Sequence, residues 1–162
     1  MKRPVIAITG HRPNRIPSEQ YVSAQLRNSF IDLSAGHVIQ GMADGVDLLA
    51  ALAAQNAKIP FSCAIPWEGH KPGNGWEDAY HFALVYAENV WVVNDCQGYP
   101  GPQVYQERNE YMVDRCHILV AVWDFQKKGG TWNTVKYAIS KRIPIWRIDP
   151  SGDTESGWYE YK

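Results

Sequence analysis

Short apolar runs alternate along this chain with longer stretches of helical periodicity, and this alternation restricts the fold more than any other feature. The first run covers residues 5–9 (VIAIT) and ends at Gly10, as a buried strand does. Ser18 then offers a helix N-cap, and apolar residues recur at helical spacing until Gly36: Val22, Leu26, Phe30 and Leu33. A helix between two such runs favours parallel pairing of the strands.

The same alternation continues towards the C-terminus. Further strands are predicted at residues 37–40, 61–65, 90–93, 118–123 and 143–148. One helix is predicted to begin near Asp44 or Gly45, and a second to cover residues 76–87. A third is predicted around Met112, and a fourth begins at the GGT turn, residues 129–131. About six strands separated by helices predict an α/β fold, a Rossmann-like, doubly wound and mostly parallel sheet with helices on both faces.

Residues 1–150 are expected to form a single domain, because a chain of 162 residues with 45% hydrophobic residues can fill one core. Residues 151–162 form a tail-like segment. It contains three aromatic residues, Trp158, Tyr159 and Tyr161, so we expect it to pack on the domain or on a partner subunit.

Composition excludes several classes of function. The net charge of −1 offers no basic surface, which argues against a dedicated nucleic-acid-binding protein. The three cysteines are widely spaced and the histidines lack metal-ligand spacing, so no disulfide framework, metal site or cofactor is expected. No apolar run is long enough for a membrane span or a signal peptide, and we expect a cytoplasmic protein.

Candidate ligand-binding residues follow the strands, because doubly wound sheets bind ligands beyond the carboxyl ends of their strands. Glycines let the backbone approach a phosphate, helix N-termini present free N–H groups, and arginine binds phosphate bidentately. The candidates are Gly10, His11, Arg12, Gly41, Ala43, Asp44, Gly45, Trp67, Arg108, Asn109, Trp123, Asp124, Gly129, Gly130 and Thr131.

Each of these patterns also has a structural explanation. The Gly10-His11-Arg12 segment is equally typical of a tight turn with solvated side chains. Asp44 and Asp47 have the spacing of N-cap and N3 residues; we assign Asp47 to capping and keep Asp44 as a ribose ligand. An arginine among acids, as at Arg108, usually forms a surface ion pair, and Thr131 is a plausible N-cap.

Together these motifs resemble the SLOG superfamily of Rossmann-like nucleotide-ligand binders, and within it the YpsA-like branch. The resemblance covers almost the whole chain and consists of ITGHRP, GMADGVD, AIPW, the ERN helix and AVWD…GGT, in that order. It implies relationships to LOG phosphoribohydrolases, to DNA-processing protein A and to sensor domains for NAD-derived or ADP-ribose-like signals.

The resemblance to the LOG enzymes is incomplete at the catalytic positions. Those enzymes use an arginine in an ERK-like helix and a glutamate in a PGGxGTxxE turn. Arg108 occupies the arginine position, but ERK becomes ERN at Asn109 and the glutamate position falls on Thr134. A threonine cannot act as a carboxylate, so this departure argues against hydrolysis by the LOG route.

The resemblance implies binding of a nucleotide or nucleotide-derived signal by a sensor or sequestering protein that forms homo-oligomers. An alternative is an N-glycosidase that uses Arg108 with a carboxylate such as Glu107, Asp124 or Asp44. A second alternative is a protein associated with single-stranded DNA, which the net charge disfavours.

Overall fold

One sheet forms the centre of the protein in the computed structural model, which describes residues 2–161; Met1 of the predicted domain and Lys162 of the predicted tail lie outside them. The strands are β1 (Val5–Gly10), β2 (His37–Gln40), β3 (Phe61–Ile65), β4 (Asn89–Val92), β5 (Ile118–Val122), β6 (Ile145–Ile148) and β7 (Gly157–Tyr159). The helices are α1 (Glu19–Asp32), α2 (Val46–Asn56), α3 (Glu77–Tyr86), α4 (Gln103–Val113) and α5 (Gly129–Ser140). Within residues 2–161, no helix is long and apolar enough to cross a membrane.

The strand order is β4-β3-β2-β1-β5-β6-β7. From β1 the chain steps outward to β4, then returns to the other side of β1, so the order reverses between β1 and β5. These two strands pair in parallel from Ile6 with Ile118 to Gly10 with Val122, which sets their carboxyl ends side by side. The predicted doubly wound, mostly parallel α/β sheet is therefore confirmed.

The sheet has one strand more than the six that were expected. It is β7, which lies within residues 151–162 and pairs antiparallel with β6, from Ile145 with Tyr159 to Arg147 with Gly157. Three residues rich in aromatics, at an edge and after a turn, give too short a signal to predict a strand from periodicity. The tail thus extends the sheet beyond β6.

Helices cover both faces of the sheet, and each face has its own core. On one face α1, α2 and α3 pack around large buried side chains such as Phe30, Leu48 and Phe61. On the other face α4 and α5 pack around Met112, Leu119 and Trp123. Strand β5 supplies side chains to both cores in alternation, as a strand buried on two faces must.

The N-cap residue agrees with the sequence prediction at α1 but not at α2 or α5. Ser18 caps α1 by accepting the Tyr21 N–H at 3.1 Å. Helix α2 has Gly45 at its N-cap position, without a side-chain hydrogen bond, and Asp47, to which the sequence assigned capping, lies in its first turn. Thr131 lies inside α5, which begins at Gly129, so it is not an N-cap.

The end of β1 approaches the start of α2 so closely that it excludes a side chain at Gly10. A Cβ atom there would lie 2.5 Å from Cγ1 of Val46. The start of α2 is also close to the β1 loop, since the Val46 N–H donates to the His11 carbonyl at 3.4 Å. This packing fixes the distance between the first two segments that were predicted to bind a ligand.

We expect Gly10→Ala to lower the free energy of unfolding by about 1–3 kcal/mol, because the added methyl group overpacks the contact with Val46. Urea denaturation measures the change. Gly98→Ala is the matched control: no atom lies within 4 Å of a Cβ at Gly98, so a change within about 0.5 kcal/mol is expected. Equal stability of both variants would contradict the close approach.

Candidate functional site

A cavity of about 190 Å³ opens where the strand order reverses. We call it the phosphate cavity, after the ligand group that the sequence predicts beyond these strand ends. Four segments of the chain form it: the end of β1 with its loop, the segment from Ala43 to the first turn of α2, helix α4, and the start of α5. The lining residues are Ile8, Thr9, Gly10, His11, Arg12, Asn14, Arg15, Ala43, Asp47, Tyr105, Arg108, Asn109, Gly130 and Thr131.

Arg108 on α4 is the most buried cation of the cavity, with only 5% of its surface exposed. Its Nη1 donates to the Gly41 carbonyl at 2.5 Å and its Nε donates to Oδ1 of Asn109 at 2.9 Å. Its Nη2 makes no hydrogen bond within residues 2–161. Two donors therefore hold the guanidinium in place and leave a third for a ligand.

Gly41 lies outside the cavity lining but determines where Arg108 sits. A Cβ at Gly41 would lie 2.6 Å from Cδ and 2.7 Å from Nε of Arg108, so only glycine lets the arginine cross the end of β2. This residue was predicted to approach the ligand with its own backbone. Its contact in the structure is with the side chain of Arg108.

Two further arginines in the β1 loop bring more positive charge to the cavity. Arg12 is exposed, and its side chain forms no hydrogen bond or ion pair with any part of the chain that the structure describes. Arg15 pairs with the carboxylate of Asp124. The cavity thus combines one buried arginine, one arginine without a partner and one that is already paired, an arrangement that attracts an anion.

Asp47 is the single carboxylate that lines the cavity among residues 2–161. It lies in the first turn of α2, is 7% exposed, and accepts the Ala43 N–H at 3.3 Å. Burial raises the pKa of this carboxyl group, and the charge of Arg108 opposes that rise. The sequence assigned Asp47 to capping; its position in the first turn after a strand end was the available signal for a role in the site.

His11 ties the end of β1 to the end of β5. Its ring is 5% exposed; Nε2 accepts the Asp124 N–H at 3.2 Å, and Nδ1 lies 3.4 Å from Oγ1 of Thr131. Burial lowers the pKa of His11, although the Asp124 carboxylate, 3.3 Å from Nε2, opposes this. Because Nε2 accepts a hydrogen bond, the neutral form of the ring, which burial favours, carries its proton on Nδ1.

The start of α5 presents backbone to the cavity. Gly129 has a φ of +87°, a conformation that favours glycine, and no atom lies within 4 Å of a Cβ at Gly130. Gly130 and Thr131 therefore offer the positive end of the helix dipole to an anion. Thr134, at the position of the LOG glutamate, is 1% exposed and donates to the Gly130 carbonyl at 2.9 Å, outside the cavity lining.

Eight of the fifteen candidate residues line the cavity: Gly10, His11, Arg12, Ala43, Arg108, Asn109, Gly130 and Thr131. The other seven lie outside its lining. Among them, Asp44 uses both carboxylate oxygens to accept the Gly73 N–H, at 2.9 and 3.1 Å, and Trp67 packs edge-on against Tyr99. Trp123, a candidate ligand-binding residue, is fully buried and stacks on Trp132.

Asp124 lies outside the cavity lining but contacts two residues that line it. Asp124 holds His11 through its N–H and Arg15 through its carboxylate. The sequence did not predict six of the lining residues: Asn14, Arg15, Asp47, Tyr105, Ile8 and Thr9. The first two follow a proline that opens a short 3₁₀ turn, Pro13–Arg15, and this turn brings both back to the cavity.

No protein-family model matches the chain. It is similar to a UPF0398 protein of Bacillus thuringiensis (strain Al Hakam), 25% identical over 154 residues that cover 85% of this chain and 83% of the relative.

Three solved structures share the fold. DNA processing protein A of Streptococcus pneumoniae has a TM-score of 0.70 at 16% identity, and the match covers 90% of this chain and 50% of that one, so this chain spans half of its length. The corresponding protein of Helicobacter pylori, described for its single-stranded DNA binding mode, gives 0.66 at 16% identity, with 91% and 66% covered. The molybdenum cofactor binding protein of Rippkaea orientalis gives 0.61 at 18% identity, with 92% and 79% covered.

We expect NMR titration of the His11 ring to give a midpoint below the usual value of about 6.5, with the proton of the neutral form on Nδ1, because burial disfavours the charged ring. The unfolded chain then binds a proton that the folded chain resists, so this contribution to stability is present above pH 6.5 and is lost as the pH falls below it. His11→Gln should flatten the acid side of the stability profile. A midpoint at or above 6.5 would contradict the neutral assignment.

Proposed function

We propose that this chain, a member of the SLOG superfamily, binds the phosphate of a nucleotide or nucleotide-derived signal in the phosphate cavity and acts as a sensor or a sequestering protein. The ligand class that we favour is ADP-ribose or another NAD-derived or cyclic relative. The superfamily relationship expected from the sequence is confirmed by the UPF0398 relative and by the fold shared with DNA processing protein A.

The observation that carries the proposal is the convergence of Arg108, Arg12 and the N-terminus of α5 on one cavity. Arg108 is held in place before any ligand arrives, so little side-chain entropy is lost on binding. A hydrogen bond to a charged group contributes about 1.5–3 kcal/mol, and several of them converge here. Relatives described as binding the molybdenum cofactor support a small-molecule ligand in general terms.

We assign to Asp47 the contact with ribose that was predicted for Asp44. Both oxygens of Asp44 are occupied by the Gly73 N–H, whereas Asp47 lines the cavity next to the arginines. A carboxylate accepts hydrogen bonds from vicinal hydroxyl groups, and Asn109 offers a further polar group on the facing helix. A sugar phosphate thus finds a cationic end and an acceptor in one cavity of about 190 Å³.

A LOG-like N-glycosidase is the second candidate, and Asp47 is the observation that favours it. It combines a buried carboxyl group with a neighbouring arginine, as acid–base catalysis requires. Against it, the residue at the LOG glutamate position is Thr134, whose hydroxyl is bonded to the chain itself.

Single-stranded DNA is the third candidate. The net charge argued against nucleic acid, but the relative from Helicobacter pylori is described for its single-stranded DNA binding mode, so this expectation is not supported by the comparisons. A gel shift with single-stranded DNA that disappears at high salt would favour this candidate over a small ligand.

We expect isothermal titration calorimetry to detect binding of at least one among ADP-ribose, cyclic ADP-riboses, NAD and nucleoside monophosphates. Arg108→Gln should weaken this binding by about tenfold or more, because a charged donor to the phosphate is lost.

Arg12→Gln should also weaken binding of the ligand, but without a change in melting temperature, since the Arg12 side chain has no partner among the described residues. The control is Arg115→Gln, in which an exposed arginine between α4 and β5, outside the cavity and stacked on Tyr111, is replaced; its affinity should stay within about twofold.

Absence of heat with the entire panel would contradict the proposal. So would a loss of affinity in Arg115→Gln equal to that in Arg108→Gln, because a general charge effect, not the cavity, would then explain binding.

We expect no release of free base when the protein is incubated with nucleoside monophosphates and the products are separated by chromatography, because position 134 lacks the catalytic acid. Release of base that Asp47→Asn and Arg108→Gln both abolish would replace the binding function with N-glycosidase activity.

A further inference from the structure

Three aromatic side chains lead from the phosphate cavity towards β4, the strand at one edge of the sheet. Trp67 follows β3, Tyr99 follows β4, and Tyr105 lies in the first turn of α4. We call these three side chains the aromatic wall. Tyr105 lines the phosphate cavity itself, and the function proposed above gives none of the three a role.

Tyr105 is a neighbour of the buried arginine on the same helix. Tyr105 and Arg108 are three residues apart on α4, and Cζ of Arg108 lies 5.9 Å from the centroid of the Tyr105 ring. The same guanidinium binds the Gly41 carbonyl at the end of β2. The aromatic wall therefore begins directly beside the cation that we expect to hold the phosphate.

Tyr99 lies next to both of the other rings. Its ring centroid is 5.6 Å from that of Trp67, with the two planes at 64°. Loss of contact with water raises the pKa of Tyr99, and the neighbouring Tyr105 hydroxyl group adds to this rise. Tyr99 thus connects Tyr105, in the lining of the cavity, to Trp67 beyond the end of β3.

Hydrogen bonds hold the loops that carry Trp67 and Tyr99 together. The Glu68 N–H donates to the Asn94 carbonyl at 3.2 Å, and Nδ2 of Asn94 donates to the Pro66 carbonyl, also at 3.2 Å. Each bond joins the loop after β3 to the loop after β4. The two rings therefore keep their relative position without a ligand.

The loop after β3 is also fixed to the phosphate cavity. The Gly73 N–H donates to the carboxylate of Asp44, in the segment of the cavity that leads into α2. Burial lowers the pKa of His70 to about 4, and the positive charges of Arg108 and Arg12 contribute to the fall. This loop is thus within reach of the charges that attract the phosphate.

The ring of Tyr99 is restricted by its own loop and still has free surface. Pro100 and Pro102 limit the backbone that follows it, and Nε2 of Gln103 donates to the Pro100 carbonyl at 2.6 Å. Even so, 55% of Tyr99 is exposed. A restricted ring with an open surface loses little entropy when a second planar ring stacks on it.

We propose that the aromatic wall binds the nucleobase of the ligand whose phosphate occupies the phosphate cavity, with Tyr99 as the main stacking surface. The inference rests on the proposed function and makes it more specific: the ligand carries a planar base, joined to its phosphate through a sugar, and extends from the cavity towards β4. Ribose 5-phosphate alone occupies only the cavity.

Calorimetry with the intact chain tests this by comparing ribose 5-phosphate with AMP and ADP-ribose, which add the base. The tighter of AMP and ADP-ribose should bind about 5- to 150-fold more strongly than ribose 5-phosphate, the range that one stacked base contributes.

Tyr99→Ala should remove most of this gain, because the stacking surface is lost. It should leave the affinity for ribose 5-phosphate within about twofold, since Tyr99 lies outside the cavity lining, and this also shows that the variant is folded. Tyr99→Phe should keep the gain, because the ring is retained.

Tyr86→Ala is the matched control. Tyr86 is a tyrosine of similar exposure, 54%, but it is the last residue of α3, shortly before β4 begins, and so lies near the amino ends of the strands. It should keep the gain within about twofold. A gain that survives in Tyr99→Ala, or that falls equally in Tyr86→Ala, would overturn the proposal.

The wild-type affinities separate this proposal from the function on which it rests. Equal affinity for ribose 5-phosphate and both nucleotides would overturn the base site and leave the phosphate site intact. Absence of binding by all three would overturn both.

Discussion

The buried guanidinium of Arg108 is the interaction on which the site depends. A charged group with 5% exposure is costly unless it is hydrogen-bonded, and here the Gly41 carbonyl and the Asn109 side chain supply the bonds. The arginine joins the end of β2 to helix α4 and brings a fixed positive charge close to the point where the strand order reverses. Asp47, in the first turn of α2, offsets part of that charge.

Close packing of the chain explains the glycines at positions 10 and 41 better than contact with a ligand does. Gly41 makes room for Arg108, and Gly10 makes room for Val46, so both act through close packing of the chain on itself. Gly129 and Gly130 differ, because no atom lies within 4 Å of a Cβ at either position, and Gly130 lines the cavity. Glycine-rich segments after neighbouring strands thus serve two purposes, one to assemble the site and one to leave it accessible.

The alternation of apolar runs and helical stretches was sufficient to predict the sheet and its helices, because period and length are properties of the sequence itself. It did not predict which way each polar or aromatic side chain points. Asp44 and Asp47 are three residues apart and equally acidic, yet one binds a loop and the other lines the cavity. Trp123, predicted as the last residue of a strand, follows β5, and its side chain is buried in the core, where it stacks on Trp132. Homo-oligomerisation stays a prediction.

The central claim is that an anionic group binds between the β1 loop and the start of α5. NMR spectra of the 15N-labelled protein, titrated with ribose 5-phosphate, test it most directly, since backbone amide shifts report the position of a bound charge. We expect saturable shifts concentrated at Gly10, His11, Arg12, Gly130 and Thr131. Shifts that are absent at high ligand concentration, or that cluster away from the reversal between β1 and β5, would contradict it.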